Sequence, residues 1–183
     1  MFHIFLTLAS LDTALLLTSF ALGTVSKLQD GIHTGDRIYW FHFLVGLCAA
    51  VVTLLVHCII FTYFLGTGRW VKEVKLAYQL DDDPLPRLTR DLKRRVFPPA
   101  LFAMLAAIFT GAAGAAAHVQ AWPWPVHGSL ATLTVIVNLW AFRLEYHCLQ
   151  INGRVLDDVL REVDRIRMER GLPSNLEALE QNT

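Results

Sequence analysis

Five histidines lie in or beside the second, third and fourth long apolar segments of this sequence, where polar side chains are costly and mark functional sites by default. Three lie near one end of these segments and two lie towards the other end: His42, His118 and His127, then His57 and His147. An imidazole binds transition metals through a ring nitrogen, and it carries a proton near neutral pH. These residue types therefore point to metal ligation or to proton transfer.

Two further ionisable residues share the apolar segments. Asp12 lies about ten residues into the first segment, which is about 15 Å deep on a helix. His57 lies nine residues before Gly66, or about 13 Å from that end of its segment. Asp12 can therefore orient the ring of His57 as a hydrogen-bond acceptor. Arg143 in the fourth segment lies somewhat nearer the same end.

The histidine spacing predicts ligation of b-type haem. A transmembrane haem of this kind needs two imidazoles from different helices at matched depth. His42 and His57 are 15 positions apart, which is about 22 Å of rise and about 60° of rotation on one helix. The sequence therefore predicts one or two haem b groups bound by the five histidines. His42 pairs with His118 or with His127 in this hypothesis, and His57 pairs with His147.

Three alternatives use the same residues. A buried acid and an imidazole at one depth can exchange a proton, so Asp12, His57 and Arg143 could form a proton path. Alternatively, Asp12 and Arg143 form an intramembrane ion pair that fixes the first span against the fourth in a cofactor-free structural or assembly subunit. A third alternative is a copper or other metal site built from two His-Cys pairs: His57, Cys58, His147 and Cys148.

The elements that carry these residues are predicted membrane spans. Hydrophobic residues make up 54% of the chain and the mean hydropathy is +0.43, which excludes an ordinary soluble domain. Four apolar blocks approach the roughly 20 residues that cross a bilayer. They are residues 2–25, 40–66, 98–118 and 124–146. We therefore predict an all-α integral membrane four-helix bundle over residues 1–150, with cytoplasmic helical extensions.

Basic residues predict the orientation of the spans. Eight Lys and Arg residues lie in the second connection, residues 67–96, whereas the first connection has only Lys27 and Arg37. Because cytoplasmic loops carry an excess of positive charge, this connection and both termini are predicted to be cytoplasmic in an inner membrane. Pro98 and Pro99 are predicted to open the third helix, where a missing N–H is tolerated.

Residues 151–183 are predicted to form a cytoplasmic amphipathic helix and a tail. An apolar stripe runs through residues 152–170 at spacings of three and four: Leu156, Val159, Val163 and Ile166. This stripe packs on the basic loop 67–96, lies on lipid, or binds a protein partner or a second copy. The basic loop is also expected to hold anionic lipid headgroups, and no nucleic-acid partner is predicted.

The sequence contains no phosphate-binding glycine loop and no hydrolase or kinase motif, which disfavours a catalytic chain. Its four spans with histidines at both ends resemble the small membrane cytochrome b anchors of respiratory enzymes. The resemblance rests on histidine placement and covers only the spans. It implies a haem-binding electron-transfer or redox-anchor subunit that acts with a partner protein.

Overall fold

The computed structural model describes residues 1–29, 37–175 and 177, and these residues form four helices. The helices are α1 (Phe2–Leu28), α2 (Arg37–Tyr78), α3 (Leu85–His118) and α4 (Trp124–Glu169). Each is long and apolar enough to cross a membrane. The all-α prediction is confirmed. Half of the predicted loop 26–39 and most of the tail beyond residue 173 lie outside the described residues.

All four helices are longer than the predicted spans. The end of the predicted basic connection 67–96 belongs to α3, and the predicted amphipathic helix is continuous with α4. Pro98 and Pro99 lie inside α3 and not in its first turn, which corrects the sequence prediction. Each proline removes one backbone hydrogen bond. The intact turns on both sides carry the 34-residue helix through this point.

One compact unit, here called the bundle unit, comprises residues 1–61 and 96–147. Many large apolar side chains on its helices are exposed, including Val51, Leu55, Phe102, Phe109 and Ile136. Several polar side chains are instead buried. This distribution is typical of a protein surrounded by lipid, where polar groups must find partners inside the bundle.

In the bundle unit, α1 and α2 form one helix pair and α3 and α4 form the other. The two pairs bury equivalent positions. Each α1 residue in the following list has its buried α3 counterpart 91 positions later: Phe5 and Val96, Ala9 and Ala100, Asp12 and Ala103, Leu16 and Ala107. Buried residues of α2 and α4 correspond at 85 positions: Ala49 and Thr134, Thr53 and Asn138, Val56 and Ala141, His57 and Phe142, Ile60 and Glu145. Equivalent residues also contact each other, as His57 does with Phe142. We call this correspondence of buried positions and contacts the internal two-fold relation of the bundle unit.

The second compact unit, the extension unit, comprises residues 62–95 and the chain from residue 148. Val71, Val155 and Val159 form its buried apolar cluster. Asn152 donates to the Tyr63 hydroxyl at 3.1 Å. Part of the apolar stripe predicted within residues 152–170 is thus buried inside the chain itself, as expected if it packs on the segment 67–96.

Candidate functional site

His42 of α2 and His127 of α4 face each other in the bundle unit, near the first turns of their helices. Their ring centroids are 6.0 Å apart. They are equivalent residues of the two helix pairs, since 127 is 85 positions after 42. We call them the paired-histidine site.

Both rings of the paired-histidine site use the same nitrogen for a structural hydrogen bond. His42 Nδ1 donates to the Ser19 carbonyl oxygen at 2.9 Å, and His127 Nδ1 donates to the Thr110 carbonyl oxygen at 3.1 Å. Because a carbonyl oxygen only accepts, Nδ1 carries the hydrogen, and the lone pair of the neutral ring is on Nε2. Neither Nε2 atom has a hydrogen-bond partner among residues 1–29, 37–175 and 177. Two unused imidazole lone pairs therefore belong to one site.

A glycine lies against each of these two rings. A Cβ atom added at Gly23 would come within 2.8 Å of His42 Cε1, and one added at Gly114 within 3.0 Å of His127 Cε1. Each glycine lies four residues after the hydrogen-bonding residue, Ser19 or Thr110, so both are on the same helix face. The two rings thus occupy equivalent cradles on α1 and α3.

His118, the other predicted partner of His42, lies elsewhere. Its ring stacks on Tyr39 with centroids 5.4 Å apart, and its Nδ1 is 2.8 Å from the Tyr39 hydroxyl oxygen. His118 is exposed. Of the two predicted partners of His42, His127 therefore faces it and His118 does not.

His57 lies in a different environment, fully buried within the bundle unit. Its Nδ1 is 2.7 Å from Glu145 Oε1, and its Nε2 is 3.0 Å from Asn138 Oδ1. His147 is exposed and shares none of the hydrogen bonds or ring contacts of His57. The structure does not bring these two histidines together, and His57 has no free nitrogen for a metal.

Asp12 also has partners that differ from those predicted. Thr53 Oγ1 donates to Asp12 Oδ2 at 2.8 Å, whereas Arg143 is exposed. Arg143 takes part in no ion pair within the described part of the chain, so the predicted Asp12–Arg143 pair is not formed. The physical reason is helix geometry, because Arg143 follows the buried Phe142 and points about 100° away from it.

The predicted His-Cys metal site is also not assembled. Cys58 is exposed and Cys148 is buried, and both nitrogens of His57 are used within the protein. Across the described residues, no three His, Cys, Asp or Glu side chains group as metal ligands.

We call the second constellation the buried polar site, which consists of Asp12, Thr53, His57, Asn138 and Glu145. Thr53, Asn138 and Glu145 were not predicted as site residues, because the direction that each side chain faces depends on how the helices pack. One signal was available: Asn138 and Glu145 are seven residues apart, and therefore on one helix face.

The bundle unit thus holds two histidine sites of different chemistry. At the paired-histidine site the rings keep a free lone pair, and at the buried polar site the ring is fully hydrogen-bonded. Comparisons with protein-family models, with curated proteins and with solved structures found no match to this chain.

Proposed function

We propose that this protein is a b-type haem-binding membrane subunit that carries electrons for a partner protein, with His42 and His127 as the iron ligands. The observation that carries the proposal is the matched state of the two rings. Each imidazole is held through Nδ1 by a backbone carbonyl and keeps an unpaired Nε2.

The donor chemistry of the site supports this proposal. Metal-binding histidines almost always donate their second ring N–H to a carboxylate, a backbone carbonyl or water, which fixes the ring and its tautomer. Ser19 and Thr110 supply that carbonyl for His42 and His127. Two imidazoles without carboxylate or thiolate neighbours suit haem iron better than a zinc or calcium ion, which takes more protein ligands.

The small residues at the site let the two imidazole rings pack closely against α1 and α3. Gly23 and Gly114 leave no side chain beside the imidazoles, and a Cβ at either would crowd the ring. An open groove of about 290 Å³ is lined by α1 and α4 residues, among them Thr24, Gly128 and Thr132. Thr24 follows Gly23, and Gly128 follows His127. Phe20 and Trp124 form aromatic walls of this groove, and neither His42 nor His127 is among its lining residues.

The roles of the chain's own groups follow from this geometry. When bound, haem supplies a centre that accepts and gives up one electron. The carbonyls of Ser19 and Thr110 orient the ligand rings, and the apolar exterior of the bundle unit keeps the centre in lipid. No residue of the site is proposed to act as a nucleophile or a general base.

We further propose that the chain lies in the cytoplasmic (inner) membrane with both termini in the cytoplasm. Eight Lys and Arg residues between residues 67 and 96 support this orientation, by the rule that cytoplasmic loops carry the positive charge. The paired-histidine site then lies towards the outer face. The same placement implies that the redox partner reaches the haem from the outer face.

The test is a reduced-minus-oxidised absorbance spectrum of the full chain, purified in detergent after expression with ample haem. We expect a b-type spectrum at one haem per chain. His42→Ala and His127→Ala should each abolish it, whereas the matched controls His118→Ala and His147→Ala should retain it. Absence of haem from the wild-type chain would overturn the proposal and favour a cofactor-free subunit.

A further inference from the structure

The protonation of His57 can be deduced from its hydrogen bonds. Asn138 Nδ2 donates to the Thr134 carbonyl oxygen at 2.8 Å, which turns Asn138 Oδ1 towards His57. That oxygen only accepts, so His57 Nε2 must carry a hydrogen and donate it. The second ring nitrogen, Nδ1, then decides whether the ring is neutral or charged.

One proton lies between His57 and Glu145. Nδ1 and Oε1 are 2.7 Å apart and fully buried, and two lone pairs at that distance would repel. Either an imidazolium donates to a carboxylate, or a protonated carboxyl donates to a neutral imidazole. Both arrangements contain the same single proton, and both leave the pair with no net charge.

Asp12 adds a second acidic group to the same buried polar site. It is fully buried, and it accepts one hydrogen bond from Thr53. Its other oxygen, Oδ1, has no hydrogen-bond partner among the described residues, and neither has Glu145 Oε2. An unpaired carboxylate inside a bilayer is very unfavourable, and a proton on Asp12 removes that charge.

The neighbouring elements supply no cation that could replace this proton. The ionisable groups that face the site are Asp12 from α1, His57 from α2 and Glu145 from α4. Among the described residues of α3 in the bundle unit, the buried ones are Val96, Pro99 and four alanines, and none of these is ionisable. Arg143, the nearest charged residue in sequence on α4, is exposed.

Packing alone does not demand polar residues here. The equivalent of Asp12 is Ala103, the equivalent of His57 is Phe142, and the equivalent of Glu145 is Ile60. All three counterparts are apolar and buried. The equivalent positions in the bundle unit thus pack with apolar side chains. Stability alone therefore does not explain the acidic groups.

We propose that the buried polar site is a proton-binding site that exchanges protons with water from within the membrane. In its neutral form it holds two exchangeable protons, one between His57 and Glu145 and one on Asp12. Release breaks the O–H bond of the Asp12 carboxyl and passes the proton to water, which leaves the site with one negative charge. Uptake reverses this step, and neither step requires haem.

Infrared spectroscopy of the full chain in lipid nanodiscs tests this proposal. We expect the carbonyl band of a protonated carboxyl near neutral pH. It should shift in ²H₂O and also shift when aspartate is labelled with ¹³C at the side-chain carboxyl. Asp12→Asn should remove the band that shifts with labelled aspartate, whereas Glu73→Gln, at an exposed carboxylate paired with Arg69, should leave that band unchanged.

Two outcomes would overturn the proposal. One is a wild-type chain without a protonated aspartate band from mildly acidic to mildly alkaline pH. The other is a band that never shifts in ²H₂O, because its proton would then be locked in place. The isotope label makes the assignment in the wild-type chain, so the test does not depend on the folding of a variant. Since haem plays no part in it, its failure is separate from failure of the proposed function.

Discussion

The paired-histidine site and the buried polar site lie on the same helices but differ in symmetry. His42 and His127 are equivalent residues, with equivalent carbonyl partners and equivalent glycines. His57 instead stacks on a phenylalanine, Phe142, at a centroid distance of 5.3 Å. The first site keeps the internal two-fold relation, and the second breaks it.

This difference shows how environment sets the chemistry of an imidazole. Where one nitrogen is tied to a carbonyl and the other has no partner, the ring is ready to bind a metal. Where both nitrogens meet side-chain oxygens, a metal would have to displace buried hydrogen bonds, and proton exchange is the available chemistry. A symmetric pair also suits an occupant shared between two halves, whereas an asymmetric cluster suits protons held by particular residues.

The largest effect is expected from breaking the asymmetric site. Glu145→Ile gives position 145 the residue type of its counterpart Ile60 but leaves His57 Nδ1 without a partner. Removing one member of a buried pair costs about 3 kcal/mol or more, so we expect a loss of that size in the free energy of unfolding. Denaturant unfolding of the purified protein in detergent, followed by circular dichroism, measures it.

The matched control makes the two halves alike. The triple variant His57→Phe, Asn138→Thr and Glu145→Ile gives these positions the residue types of Phe142, Thr53 and Ile60. Phe and Ile replace the buried pair of His57 and Glu145, and replacing a buried pair by apolar residues of similar volume is often neutral, so most of the lost stability should return. A triple variant as unstable as Glu145→Ile would mean that the polar set is required for folding, against the functional interpretation.

A smaller effect is expected from crowding the symmetric site. Gly23→Ala places a Cβ 2.8 Å from His42 Cε1 and should push the ring away from the Ser19 carbonyl. Overpacking of this kind costs about 1–3 kcal/mol, so haem affinity should fall about tenfold or more. Titration of the haem-free protein with haem measures the affinity. Gly111→Ala is the control, since a Cβ there meets no atom within 4 Å. An equal loss of haem affinity in both variants would contradict a role for Gly23 in holding the His42 ring.

The sequence predicted the helices better than it predicted the partners inside the bundle. Runs of apolar residues locate the four spans, because length and hydropathy alone determine which segments cross a bilayer. The side that each residue faces depends on helix packing, which composition does not show. Glu145 illustrates this: it lies two positions after Arg143 in the sequence, yet Glu145 is buried and Arg143 is exposed.

The choice between His118 and His127 as the partner of His42 also depends on how the helices pack. Both histidines lie close to a predicted span boundary, and both are near the depth of His42 in the sequence. A correspondence at 85 positions relates His42 to His127, and Gly68-Arg69 to Gly153-Arg154. This correspondence favours His127 over His118 from the sequence alone. The hydrogen bonds of the ring nitrogens require the structure, because backbone carbonyls leave no trace in the sequence.

The smallest effect is expected at an exposed cluster of charges in the extension unit, which sharpens the contrast with the buried acids. Asp82 accepts hydrogen bonds from Arg90 at 2.9 Å and from Lys75 at 2.6 Å. These partners hold the pKa of the Asp82 carboxyl well below its usual value of 3.8. The stability from this lowered pKa is therefore present above about pH 4 and is lost as the pH falls through the native pKa.

We expect Asp82→Asn to lower the thermal unfolding midpoint slightly at neutral pH, because exposed ion pairs contribute little. The decrease should shrink in high salt and in acid, where the wild-type chain loses the same interaction. Asp81→Asn, at an exposed neighbour outside the ion pairs of the described residues, should leave the midpoint unchanged. A decrease that persists at high salt would contradict this interpretation, because it would show that Asp82 does not act mainly through its charge.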